Sequence, residues 1–111
     1  RLMTDSLKIL GQSVPTIGVL TDIYTVPTNY STTISSVIIC NQGPDFANFS
    51  ISIAKNGVAD DPKQYIYFNT PLAVYDTFIA TIGISLGSGD IVRAKSDASV
   101  LAFNIFGVEV I

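Results

Sequence analysis

Leu20-Thr-Asp-Ile-Tyr-Thr-Val-Pro-Thr-Asn-Tyr-Ser-Thr-Thr-Ile-Ser-Ser-Val-Ile-Ile-Cys-Asn-Gln-Gly-Pro44 is the stretch whose reading decides the fold. β-Branched residues fill two runs, Pro27 and Pro44 end them, and Pro27-Thr-Asn29 and Gln42-Gly-Pro44 read as turns. Two strands joined by a tight turn are expected here as a pair. The stretch places the chain in the all-β class and holds no constellation for chemistry.

Outward from that pair, turn signals recur about every ten residues, the rhythm of an all-β sandwich or barrel. Strands are expected over residues 7–10, 18–26, 32–41, 48–55, 63–69, 76–84, 90–95 and 100–111, the first short and at an edge. Within 48–55, Phe49, Ile51 and Ile53 alternate with Asn48, Ser50 and Ser52, which assigns one face to a core and the other to solvent. Asn56-Gly57 and Thr70-Pro71 read as turns, Gly87-Ser-Gly89 as a flexible connection, and Gly107 as a bulge or kink in the last strand. No helix is expected. About eight short strands fit an antiparallel β-sandwich, a jelly roll first. An immunoglobulin-like sandwich comes second, because the paired cysteines and core Trp of antibody domains are missing.

A chain of 111 residues reads as one domain, here 7–111, preceded by a polar arm over 1–6. It buries roughly 65% of its unfolded surface, enough for one sandwich core. Arg1-Leu-Met-Thr-Asp5 lacks the features of a secretory signal. Only 14% of residues are charged, against about 25% in typical soluble domains, while 48% are hydrophobic. Mean hydropathy is +0.46, yet no run approaches the ~20 apolar residues of a membrane helix. Neither a membrane nor a nucleic-acid partner is expected, the latter because the net charge is −3. The apolar excess points instead to burial against neighbouring subunits, most simply in a homo-oligomer.

Chemistry is scarce. There is no His, so Ser-His-Asp and Cys-His machinery and the commonest zinc ligands are absent. Cys40, the single cysteine, reads as a small buried hydrophobe in an apolar strand. Asp60 and Asp61 read as a solvated acidic turn without calcium-loop spacing. Asp90 reads as a turn-fixing carboxylate that accepts local backbone N–H bonds. Tyr24, Tyr30, Tyr65, Tyr67 and Tyr75 suit core or interface packing better than ligand contact, with a sugar-stacking role for exposed Tyr30 and Tyr75 as the rival. No catalytic residue, cofactor or metal site is expected. The interface residues expected are Tyr65, Tyr67 and Phe68 of the fifth strand and Val108, Val110 and Ile111 at the end of the last.

Leu10-Gly-Gln12, Leu20 to Pro27 and Ile38-Ile-Cys-Asn41, with Asp76-Thr77, Gly83-Ile84, Gly89-Asp90 and Phe103-Asn-Ile-Phe-Gly-Val-Glu109, together resemble small virion structural proteins of tailed bacteriophages. The resemblance runs from about Leu7 onward and rests on turn and strand patterns. It implies a β-sandwich module in the virion that decorates or stabilises the capsid, or belongs to the tail or its fibres. The implied partners are other virion proteins, major capsid or tail proteins among them, with a host glycan for a receptor-binding tail module. It carries over no catalytic residue.

Overall fold

The computed structural model describes residues 5–98 and 100–111; residues 1–4 of the expected arm lie outside the described residues. Eight strands follow in order: β1 (Asp5–Ser13), β2 (Thr21–Thr25), β3 (Ser31–Asn41), β4 (Ala47–Ala54), β5 (Tyr65–Leu72), β6 (Thr77–Leu86), β7 (Ile91–Ser96) and β8 (Leu101–Val110). Two 3-10 turns, Lys55–Gly57 and Pro62–Gln64, lie between β4 and β5. All eight expected strands are present.

Every pairing is antiparallel, in two four-stranded sheets of order β1-β8-β3-β6 (sheet A) and β2-β7-β4-β5 (sheet B). The first strand pairs with the last, the second with the seventh, and the fourth with the fifth, while the third pairs with both the sixth and the eighth. This is a long hairpin rolled onto itself, a jelly roll. The expected pairing of the second and third strands is therefore corrected. β2 and β3 lie in different sheets, and the turn between them, closed by Tyr30 N–H donating to the Pro27 carbonyl at 3.1 Å, carries the chain across the sandwich. Asn29 supplies the left-handed residue of that turn, at φ 69°.

Alternation sets the core. Val37 and Ile39 of β3, Phe49 and Ile51 of β4, Val92 and Ala94 of β7, and Leu101, Phe103 and Ile105 of β8 all point between the sheets, each at most 2% exposed. Phe49 anchors an aromatic group, its ring 5.0 Å from Phe78, 6.0 Å from Tyr67 and 6.3 Å from Phe103. The same parity corrects the reading of Cys40. With Ile39 and Asn41 turned inward, Cys40 falls on the outer face of sheet A beside Ala102 and Thr77, half-buried.

Two further expectations change. β5 runs through Pro71 to Leu72 instead of turning at Thr70-Pro71, because an edge strand tolerates a residue that cannot donate to the ladder. Gly107 is neither bulge nor kink. β8 pairs straight through it on both sides, and the irregularities fall on its partners, between Ile34 and Ser36 of β3 and between Ile9 and Gly11 of β1. The position demands glycine for space. A Cβ there would sit 2.2 Å from the Thr33 carbonyl oxygen, 3.0 Å from Leu10 Cδ1 and 3.1 Å from Ile34 Cα.

The turns hold one another. Asp90 accepts from Gly87 N–H and from Asn56 N–H, both at 2.9 Å, so one carboxylate fixes its own turn and ties it to the Asn56-Gly57 turn. Buried Asn41 does the same at the other end, donating to the Asp45 carbonyl at 2.9 Å and the Ala73 carbonyl at 3.2 Å. Between the sheets, Glu109 of β8 is only 4% exposed. It pairs with Lys8 of β1 and accepts from the Tyr24 hydroxyl of β2 at 2.6 Å. Tyr24 spends its proton there, so Thr32 of β3 is the donor in their 2.7 Å contact. Four strands from both sheets meet at this carboxylate.

Burial and the hydrogen bond to Glu109 push the Tyr24 phenol up to about 12. Burial alone would raise the Glu109 pKa, but hydrogen bonds from Lys8 and Tyr24 and the Lys8 charge outweigh it, leaving the carboxyl below its ordinary value.

Two predictions follow from these contacts. Gly107→Ala should cost ~2 kcal/mol or more in chemical denaturation, because backbone atoms of β3 cannot yield to the new methyl. Folding stability should fall as pH rises from ~10 towards 12, where the unfolded chain ionises its tyrosines before the native state ionises Tyr24. It should also fall on acidification, as Glu109 gains a proton sooner in the unfolded chain than in the native state. Denaturant titrations across pH check both arms: Tyr24→Phe should flatten the alkaline loss and Glu109→Gln the acid loss.

Candidate functional site

The two outer faces of the sandwich differ in charge. In sheet A, β3 and β6 contain no charged residue, and β1 and β8 contribute Asp5, Lys8 and Glu109. Lys8 and Glu109 pair with each other on the inner side, so among the described residues Asp5 is the one charge on the outer face of sheet A. The register sets Leu7 beside Val108 and Ile9 beside Phe106 on β1 and β8, and Ile38 beside Ile79 on β3 and β6. Leu7 is 84% exposed, Ile79 65% and Ile9 52%. Gln12 and Asn104 separate the two apolar groups, Gln12 Nε2 donating to Asn104 Oδ1 at 2.7 Å.

The edges of the sheets differ too. β2 is short, and β5 is broken by two register shifts, Pro71 and the left-handed Asn69. β1 carries Lys8 and a register shift. These are the devices that discourage strand addition. β6 runs ten residues along the edge of sheet A with one register shift against β3, and with neither charge nor proline. Its free edge is the least guarded of the four.

A third apolar surface gathers at one end of the sandwich, in the loops joining β1 to β2, β3 to β4, β5 to β6 and β7 to β8. Val14, Ile17, Phe46, Val74, Tyr75 and Val100 are all exposed there. Hydrogen bonds of 2.8 Å from Gly18 N–H to the Ser96 carbonyl and 2.9 Å from Gln42 N–H to the Val100 carbonyl lock these loops together.

The outer face of sheet B is polar by contrast. Arg93 donates to Asp22 at 3.0 Å and to the Val58 carbonyl at 2.9 Å, pinning the β4–β5 connection over the sheet. Ser50 and Ser52 face outward as their alternation predicts, yet both are buried; Ser50 Oγ accepts from Asn69 N–H at 3.1 Å, and Ser52 Oγ has no hydrogen-bond partner among the described residues. At the rim, Asp60, Pro62, Tyr65, Phe68 and Lys95 line an open cleft of about 560 Å³. The Tyr65 and Phe68 rings meet edge to face at 5.2 Å, and the Tyr65 hydroxyl donates to Asp60 at 3.0 Å. Burial, followed by that hydrogen bond, raises the Tyr65 pKa.

The six residues expected at an interface divide among these surfaces. Val108 and Val110 lie half-buried on the outer face of sheet A, with Ile111 just beyond β8 and 39% exposed. Tyr65 and Phe68 stand at the rim of sheet B, on the far side of the molecule. Tyr67 turns inward against Phe49 and Phe78. Of the tyrosines weighed for sugar contact, Tyr30 packs against the core and Tyr75 is exposed. Asp61 caps the second 3-10 turn by accepting from Lys63 N–H at 3.1 Å, and Asp60 serves Tyr65. No group of three or more metal-ligating side chains occurs among the described residues. Leu7, Ile9 and Ile79, which dominate the apolar face, were not singled out by sequence; the uncharged run through β6 was the signal that could have found that face.

No family model matches the chain, and no curated protein matches it. Among solved structures it is similar to a chain in the structure of infectious bursal disease virus, Gt strain, at 5% identity and a TM-score of 0.48. That similarity covers 96% of this chain and 31% of the other, so this chain spans about a third of the viral one.

Proposed function

We propose that this chain is a non-enzymatic structural protein of a bacteriophage particle, which attaches to neighbouring particle proteins and stabilises them. The observation that carries the reading is the outer face of sheet A: a nearly uncharged surface with exposed Leu7, Ile9 and Ile79, bounded by the unguarded edge β6. Free in water, such a face is a liability; covered by a neighbour, it is an adhesive. The sequence resemblance to small phage virion proteins supports the same reading, with decoration of the capsid as the specific role.

The mechanism is burial without chemistry. Apolar area contributes ~25 cal/mol per Å², so a modest contact repeated over a particle stabilises it appreciably. Strand addition at β6 would orient the contact through main-chain hydrogen bonds, while the side chains of sheet A supply the burial. The second reading is a tail, baseplate or fibre module that binds a receptor, favoured by the exposed apolar loop end.

Quantitative mass spectrometry of virions purified from the phage encoding this chain tests the reading. Hundreds of copies per particle are expected for capsid decoration, a few or tens indicate the tail assembly, and absence from the particle overturns the proposal. Ile79→Lys and Leu7→Lys should each sharply reduce incorporation while leaving folding stability within ~0.5 kcal/mol, as exposed positions allow. Unchanged incorporation in the double variant would remove sheet A as the contact.

A further inference from the structure

We propose that the cleft at the rim of sheet B is a saccharide site that takes a neutral pyranose ring. Its volume of about 560 Å³ lies within the range of small-ligand pockets. Its lining joins an aromatic corner to two charged groups. Phe68 is 67% exposed, an unusual cost for a phenylalanine, and its ring is braced edge-on by Tyr65 at 5.2 Å. Tyr65 is itself held by Asp60, so the aromatic corner is set before anything arrives. Beside it stand a carboxylate and an ammonium, Asp60 and Lys95.

The chemistry of the lining favours a neutral polar ligand. An anion would gain from Lys95 but meet the Asp60 charge, and a cation would meet the reverse. A purely apolar ligand would bury both charges without partners, which is costly. A sugar ring fits all of the lining. Its C–H face lies against the aromatic ring, and its hydroxyls both donate and accept. Asp60 accepts the Tyr65 hydroxyl through Oδ2, leaving Oδ1 without a hydrogen bond among the described residues. Lys95 forms no ion pair among the described residues, so its N–H donors are open to ligand oxygens. Preformed donors and acceptors matter most here, because a sugar must exchange hydroxyl–water bonds for equal partners.

The site is built by the fold's least regular segment. Two register shifts between β4 and β5 and the left-handed Asn69 break the alternation of β5, and Tyr67 turns inward while Tyr65 and Phe68 meet at the rim. Arg93, bonded to the Val58 and Gly57 carbonyls, anchors the loop that delivers Asp60 and Pro62. The cleft lies on the opposite side of the sandwich from the outer face of sheet A, so a particle-bound copy would keep it open.

Titration of the intact chain with glucose, galactose, mannose and N-acetylglucosamine, followed by amide NMR, tests the site. At least one sugar should give saturable shifts in the millimolar range, centred on Tyr65, Phe68 and Lys95. Phe68→Ala should weaken binding about tenfold with the fold intact, since the ring is exposed. Asp60→Asn should weaken it further without changing particle incorporation. Absence of saturable shifts with all four sugars, or binding that Phe68→Ala leaves unchanged, overturns the site. So does a concentration-dependent shift of the same amides without sugar, which would make the cleft a contact between copies. Ile79→Lys should leave sugar binding unaltered, which separates this test from that of particle attachment.

Discussion

The pairing of β8 with both β1 and β3 is the constraint on which the rest of the molecule depends. It brings the described ends of the chain together, closes the rolled hairpin and places Leu101, Phe103 and Ile105 at the centre of the core. The approach to β3 is close enough that only glycine fits at 107. Two residues later, Glu109 draws Lys8, Tyr24 and, through Tyr24, Thr32 to one buried carboxylate. Such a network is stable only when fully satisfied, so it enforces one arrangement of the two sheets.

From that closure follows the division of labour between the faces. Apart from Asp5 at the start of β1, charges inside the strands are either paired within the sandwich or carried on sheet B, where Arg93 organises the overlying loop. Sheet A is left with an outer surface mainly of Leu, Ile, Val, Phe, Ser and Thr, interrupted by the Gln12–Asn104 pair and Asp5. A chain with 14% charged residues has few charges to distribute, and the topology gives almost none of them to this face. The apolar excess evident in composition thus becomes a located surface.

The irregular segment between β4 and β5 has a different consequence. Regular alternation would have sent Tyr65 and Tyr67 to one face and Ile66 and Phe68 to the other. Register shifts break this pattern, leaving Tyr67 to complete the core beside Phe49 and bringing Tyr65 and Phe68 into contact at the rim. Local departures from the ladder are how a sandwich builds a concave site without altering its core.

The sequence by itself determined the class, the number of strands and the limits of β3, β4, β7 and β8 to within a residue, because period-two alternation and proline, glycine and asparagine turns act locally. β1, expected as a short 7–10, runs from 5 to 13, and β2, β5 and β6 each shift by two or three residues at one end or both. The sequence also determined the Asn56-Gly57 turn and the local role of Asp90 at Gly87, three residues away; the bond from Asp90 to Asn56 joins two distant turns and belongs to the tertiary structure. Tertiary structure decided the rest. Whether β2 pairs with β3 or crosses to the other sheet depends on partners 60 or more positions away, such as Arg93 opposite Asp22 and Glu109 opposite Thr32. The side taken by Cys40 depends on which neighbours claim the core, since alternation reads the same from either face. The meeting of Asp60, Phe68 and Lys95 joins a loop to two strands that do not pair with each other. Local propensity records what each segment can form; long-range pairing decides which surfaces those segments share.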